Sequence, residues 1–142
     1  MRATEVLKEE HEVIERLLNL LDRACEKIEN NEKVPSGFFE KVLDFIRTFA
    51  DSCHHGKEEE ILFPAIEKKG IPKEGGPIGV MLEEHEIGRS FVRGLDEAAK
   101  RNDSKAIVEN ARGYVNLLRQ HIPKENDILY PMADEVMDEK ED

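Results

Sequence analysis

Apolar residues recur at steps of three, four and seven along almost the whole chain, the spacing of one face of an α-helix. Val6, Leu7, Val13, Ile14, Leu17, Leu18, Leu20, Leu21 and Ile28 mark a first helix. Asn30 and Asn31 interrupt it, and Val34-Pro35-Ser36 offers a new start with Ser36 as N-cap. A second pattern runs from Phe38 through Phe45, Ile46, Phe49, Ile61, Leu62 and Ile66, and Pro64 is expected to kink it or to open its last turns. Gly70-Ile71-Pro72 and Gly75-Gly76-Pro77 spell a loop. A third helix fits Ile78 to about Arg101, Asn102-Asp103-Ser104 breaks and caps, and a fourth fits Lys105 to about Met137 with Pro123 and Pro131 inside it. The acidic tail, 138–142, is expected to fray.

No segment alternates as a half-buried strand does, so the pattern predicts an all-α fold. Four helices of about 25 to 33 residues would each be roughly 38 to 50 Å long. Short connections make neighbours antiparallel, which predicts an up-down-up-down four-helix bundle over residues 1–142 as a single domain. The chain also repeats itself. A shift of 74 lays EEHE at 9–12 on EEHE at 83–86, and a shift of 67 lays HHGKEEEILFP at 54–64 on HIPKENDILYP at 121–131. The repeating unit is a helix bearing one His followed by a helix bearing His-x-x-x-Glu. Two such units predict a duplication whose pseudo-twofold brings both polar sets to one place in the core.

His121 and Glu125 stand four apart and so share a helix face, with Tyr114, Leu118, Ile128 and Met132 expected beside them. His11 lies among Leu7, Ile14 and Leu18, and His85 has Met81, Leu82 and Val92 nearby. A single His on an apolar face is ordinarily a core residue satisfied by a hydrogen bond, and one His-x-x-x-Glu is ordinarily a surface pair. The joint pattern differs, because every predicted helix carries His and buried imidazole and carboxylate must be paired or bound to metal. Four His and two Glu exceed the four ligands of a structural zinc and suit two metals bridged by the carboxylates, with an open position left for a small molecule. Mixed imidazole and carboxylate ligands suit iron and disfavour magnesium or calcium. The Glu-x-x-His signature of ferritin-like sites is absent, since Lys8, Asp51, Leu82 and Leu118 stand three before the histidines.

The order His11, HHGKEEEILFP, EEHE, HIPKENDILYP resembles the hemerythrin-like, or HHE cation-binding, family over nearly the whole chain. The resemblance implies a four-helix bundle holding an oxo- or hydroxo-bridged non-haem di-iron centre with two iron ions; manganese is the alternative metal. It carries ligand roles to His11, His54, Glu58, His85, His121 and Glu125. Family members bind oxygen, sense oxygen or iron, handle nitric oxide or peroxide, or repair iron–sulfur clusters. Oxygen carriers of the family have a fifth ligand His one turn from another; here Met81 and Leu7 occupy those places, which weakens the carrier reading. His55 with Glu59 is a second His-x-x-x-Glu, placed on the face of Phe45, Leu62 and Ile66. The repeat register favours His54 and Glu58, leaving His55 as a fifth ligand or as a group behind the ligands.

The remaining features read more plainly. Glu10 and Glu84 are expected in solvent or on a ligand imidazole, Lys57 and Lys124 at the outer edge of their helices, and Tyr114 in the core or reaching the centre with its hydroxyl. Cys53 beside His54 reads as a buried small residue rather than a nucleophile, because no adjacent positive charge depresses its pKa. The loop at 70–79 has no phosphate-binding glycine pattern. A net charge of −11 argues against nucleic acid and anionic membranes as partners. No apolar run approaches the roughly 20 residues of a membrane span, and the N-terminus shows no secretory signal. Two cysteines, Cys25 and Cys53, suit a reducing, cytoplasmic setting. The expected function is binding or sensing of oxygen, nitric oxide or peroxide, with a redox partner supplying electrons. An enzyme for peroxide or oxygen reduction or for cluster repair comes second, and a helical module with a structural metal third.

Overall fold

A computed structural model describes residues 2–137, and every regular element among them is helical. Helix α1 spans Ala3–Glu29. The second rod is helical without interruption over 38–68: α2 (Phe38–Phe45), wide π-helical stretches at Ile46–His55 and Glu58–Leu62, and α3 (Phe63–Lys68). Helix α4 spans Pro77–Lys100. The fourth rod runs over 104–136 as α5 (Ser104–Lys124), a π-helical stretch at Glu125–Leu129, and α6 (Tyr130–Val136). Four helical rods pack into a bundle, and the tail expected to fray, 138–142, lies outside the described residues.

Local chemistry sets the rod ends. Asp103 caps α5, its carboxylate accepting from the Ala106 N–H at 3.1 Å. The cap expected at Ser36 is instead Gly37, whose φ of 78° takes the chain into α2 through a left-handed residue that glycine adopts without strain. Pro64 and Pro131 neither kink nor break their rods; each follows a wide turn and sits in the first turn of the next α segment. A proline ring crowds the carbonyl four residues earlier and removes one donor, and a wider turn accommodates both.

The wide turns also decide which residues face inward. Hydrogen bonds that reach five residues back put more residues in each turn. In an ordinary α-helix a step of four overshoots a turn by roughly 40°, so a long row of such steps winds around the rod. Here Ile46, Ala50, His54, Glu58, Leu62 and Ile66 are all buried, as are His121, Glu125, Leu129, Ala133 and Met137. Both rows advance by fours along one side. The stripe expected through Ile128 therefore passes through Leu129 instead, and Ile128 is 55% exposed. Leu62 and Ile66 likewise fall on the row of His54 and Glu58, not on that of His55.

The core is two apolar clusters with a polar layer between them. One gathers Ile14, Leu18, Ala50, Val92, Leu118 and Ile122 with their neighbours. The other gathers Leu7, Leu62, Phe63, Met81, Leu129 and Tyr130. Along every rod, the buried His or Glu residues stand between a member of one cluster and a member of the other. Among the described residues no helix is long and apolar enough to cross a membrane.

The step-of-four register has a direct test. Ile128→Asp is expected to change stability by no more than about 0.5 kcal/mol, as for an exposed substitution. Leu129→Ala, one residue on, is expected to cost about 2–5 kcal/mol. Urea denaturation of the two metal-free variants measures the difference, and equal costs would place Ile128 inside.

Candidate metal centre

All five histidines of the chain are buried in the polar layer, together with Glu58 and Glu125. α1 contributes His11, the second rod His54, His55 and Glu58, α4 His85, and the fourth rod His121 and Glu125. His54 and His55 are neighbours in sequence, yet both are buried. His54 turns to α1, where its Nδ1 donates to Glu10 at 2.9 Å. His55 turns to α4, its ring stacked on that of His85 at a centroid distance of 3.9 Å.

Two imidazoles address each central carboxylate. Glu58 Oε1 lies 3.6 Å from His54 Nε2 and 3.5 Å from His85 Nε2. Glu125 Oε1 lies 3.0 Å from His11 Nε2 and 3.1 Å from His121 Nε2. The far ring nitrogens point outward to acceptors. His11 Nδ1 donates to Asn126 at 2.8 Å, His85 Nδ1 to Glu59 at 2.7 Å, and His121 Nδ1 to Glu84 at 2.9 Å. An acceptor on Nδ1 fixes the ring and turns the Nε2 lone pair inward, the arrangement that metal-ligating histidines use. Glu10 and Glu84, expected in solvent or on an imidazole, take the second place: each reaches across to the next rod, where it also binds a lysine, Lys57 at 2.6 Å and Lys124 at 2.7 Å.

The contacts follow the correspondence found in the sequence. Shifted by 74 and 67, the Glu10–His54–Lys57 set becomes the Glu84–His121–Lys124 set. The ring pair His11–His54, at 4.6 Å and 56°, becomes His85–His121, at 4.9 Å and 56°. The correspondence is broken in places: Asn126 stands for Glu59 behind the imidazole, Tyr130 for Phe63, and Ile122 for His55.

Tyr130 is the central residue that sequence reasoning missed. Its hydroxyl donates to Glu58 Oε2 at 2.9 Å and lies 3.4 Å from His11 Nε2. The aromatic-Pro pair marked its place, but only the wide turn before it swings the ring inward. Tyr114 is buried one layer away as a core residue. Sequence reasoning also missed Asp51 and Arg89. The Arg89 guanidinium donates to Asp51 at 2.9 Å and to Glu59 at 2.8 Å, which ties the carboxylate behind His85 to the one facing His55. His55 and Glu59 do not act together as a pair: Glu59 serves His85, and His55 Nδ1 faces Asp51 at 3.7 Å.

Burial dominates the electrostatics. It pushes the Glu58 carboxyl up, and the neighbouring Glu125 charge adds to this. Glu125 is held low against burial by hydrogen bonds with Glu58, His11 and His121. Burial pushes His55 down to about 3. It also opposes a charge on His85, but the carboxylates of Glu58 and Glu59 outweigh it and raise His85 to about 9. Burial and the two carboxylates keep the Tyr130 phenol protonated.

The donor set fits cations. His54 Nε2, Glu58 Oε1 and Glu125 Oε2 are fully buried without a hydrogen-bond partner, a cost that a bound cation removes. Potential ligand atoms gather within 4.8 Å of one another in two groups, His55, Glu58, His85 and His121, and His11, His54 and Glu125.

Comparison with known proteins agrees. The chain is 25% identical over 141 residues to an uncharacterized protein of Mycobacterium tuberculosis, a match covering 95% of this chain and 54% of that protein. It is 34% identical over 91 residues to the iron-sulfur cluster repair protein YtfE of Salmonella typhimurium, covering 58% of this chain and 41% of the other. The chain thus spans about half the length of the curated relatives it matches, and no solved structure matches it. The family profile described as the hemerythrin HHE cation binding domain matches residues 2–133, which takes in every histidine and carboxylate of the polar layer. The chain belongs to the hemerythrin HHE cation-binding family.

Proposed function

We propose that the chain is a non-haem di-iron protein that binds or senses a small ligand: oxygen, nitric oxide or peroxide. The observation that carries the reading is the buried set of inward Nε2 atoms and orphaned carboxylate oxygens, each imidazole held from behind. His11 and His54 would hold one iron, His85 and His121 the other, with Glu58 and Glu125 bridging. Metal–nitrogen bonds of about 2.1 Å at about 90° put two ring centroids about 4.5 Å apart. The spacings of 4.6 and 4.9 Å within these two pairs suit that geometry. When bound, the iron pair would supply reversible electron transfer and an open position for the ligand. The chain's own part is to orient the imidazoles through Glu10, Glu59, Glu84 and Asn126. Tyr130 holds one oxygen of Glu58, and the two apolar clusters keep water from the layer.

The architecture belongs to the same reading. Successive rods pass from the Leu7 cluster to the Ile14 cluster and back again in turn, which supports an up-down-up-down bundle. The matched contacts of the two halves support an origin by duplication. The free thiols Cys25 and Cys53 suit the proposed cytoplasmic setting.

The similarity to a protein named for iron–sulfur cluster repair favours a second reading, in which the same centre supplies or withdraws iron. Transfer of iron from the loaded protein to a cluster-free ferredoxin, followed by absorption, distinguishes the two: transfer supports repair, and retention supports ligand binding.

Metal analysis of anaerobically purified protein is expected to find about two irons per chain, with charge-transfer bands appearing on exposure to oxygen. One zinc, or no metal with an unchanged fold, would overturn the reading. The orienting carboxylates give a finer check. Glu10→Ala and Glu84→Ala are each expected to weaken iron affinity about 10- to 100-fold, measured by competition with a chelator. Unchanged affinity would show that these contacts only tie the rods together.

A further inference from the structure

The matched halves of the polar layer are not equally closed. A cavity of about 170 Å³ lies between the Ile46–His55 stretch and α4, lined by His55, His85 and Gly88 at depth and by Arg47, Arg89 and Arg93 around it. On the other half, the positions corresponding to Asp51, His55, Gly88 and Val92 are Leu118, Ile122, Ile14 and Leu18. These four are at most 2% exposed and belong to the apolar core. The cavity therefore opens toward the layer on the His85 side, where the corresponding place on the His11 side is filled by apolar side chains.

His55 stands at the inner end of this cavity and fits poorly as a ligand beside His85. Its ring lies nearly parallel to that of His85, at 18° and 3.9 Å, whereas the two repeated pairs are both tilted by 56° at larger separation. Two ligands of one metal radiate from it, which a close parallel stack does not allow. Three guanidinium groups line this cavity, and four carboxylates accompany them, so it carries no cationic excess. Arg47 is offset by Asp96, and Arg89 by Asp51, Glu59 and Glu86, while Arg93 forms no ion pair among the described residues. The volume falls below the roughly 300 Å³ at which pockets for drug-sized molecules begin.

We propose that this cavity is the vestibule by which small ligands reach the His85–His121 half of the centre, and that His55 is a ligand-positioning wall residue outside the metal-binding set. The proposal rests on the di-iron reading above. It deepens that reading by assigning the side of approach and the residue met there.

The test uses the iron-loaded, oxidised protein with azide as the anionic probe, and the reduced protein with nitric oxide as the neutral one. His55→Gln and Gly88→Leu are both expected to keep the iron content of the wild type. A Cβ at Gly88 would meet its nearest neighbours, Leu117 and Tyr114, at 3.5 and 3.7 Å, which is ordinary contact for a methyl group. The larger leucine is expected to fill the cavity and slow both probes at least about tenfold. His55→Gln is expected to keep iron and change azide affinity. Iron loss in His55→Gln would make His55 a ligand, and unchanged azide affinity would remove its positioning role; either overturns its assignment. Unaltered kinetics of both probes in Gly88→Leu would overturn the vestibule. Absence of iron from the wild type would instead overturn the di-iron reading on which the proposal stands.

Discussion

Two carboxylates and five imidazoles sit in the middle of this bundle, with apolar side chains above and below them. Taking such groups out of water costs several kcal/mol each unless they are paired or bound. That cost is the constraint from which the rest of the arrangement follows. No rod can slide or turn past its neighbours without uncovering one of these groups. Each inner group therefore has a partner from another rod: Glu10 of α1 holds His54, Glu84 of α4 holds His121, and Asn126 of the fourth rod holds His11. The same contacts that orient the imidazoles also set the register between helices.

These contacts differ in kind from the ion pairs on the outside. Arg47–Asp96, Arg112–Glu29 and Arg119–Asp22 join exposed side chains, where solvent leaves about 0–1 kcal/mol per pair. Arg89 is intermediate, only partly exposed, and it gathers Asp51, Glu59 and Glu86 at once. Its position at the rim of the layer links surface charge to the carboxylates behind the histidines.

Near-symmetry with a few breaks is the other organising feature. An anionic Glu59 behind His85 makes that imidazole a stronger donor than the neutral Asn126 makes His11. A phenol reaches Glu58 in one half, where the other half places the ring of Phe63 against His85. His55 has the apolar Ile122 as its counterpart. The two halves thus offer equal numbers of repeated His and Glu residues in unequal surroundings, and the cavity beside His55 has apolar core at the corresponding place in the other half.

The helical spans, the loops at 70–76 and 101–103, and the repeated His and His-x-x-x-Glu sets were legible in the chain itself, because apolar spacing and glycine–proline clusters are local signals. The resemblance to the HHE family was legible for the same reason, being a matter of residue types at short spacings. Facing was not. Whether Ile128 or Leu129 turns inward, and whether His54, His55 or both do, depends on how many residues each turn holds. Hydrogen bonds that reach five residues back gave the rods with two ligand candidates a pitch that a 3.6-residue helix does not have. A signal for it does stand in the sequence: Ile46, Ala50, His54, Glu58, Leu62 and Ile66 form an unbroken buried row at steps of four, with His55 and Phe63 beside it, whereas the buried rows of α1 and α4 mix threes and fours. The partners Glu10–His54, Glu84–His121 and Arg89–Asp51 lie 37 to 44 residues apart and join different rods. No local pattern encodes such distances, so only the packing of the rods decided which charge stands behind which imidazole and which side of the layer stays open.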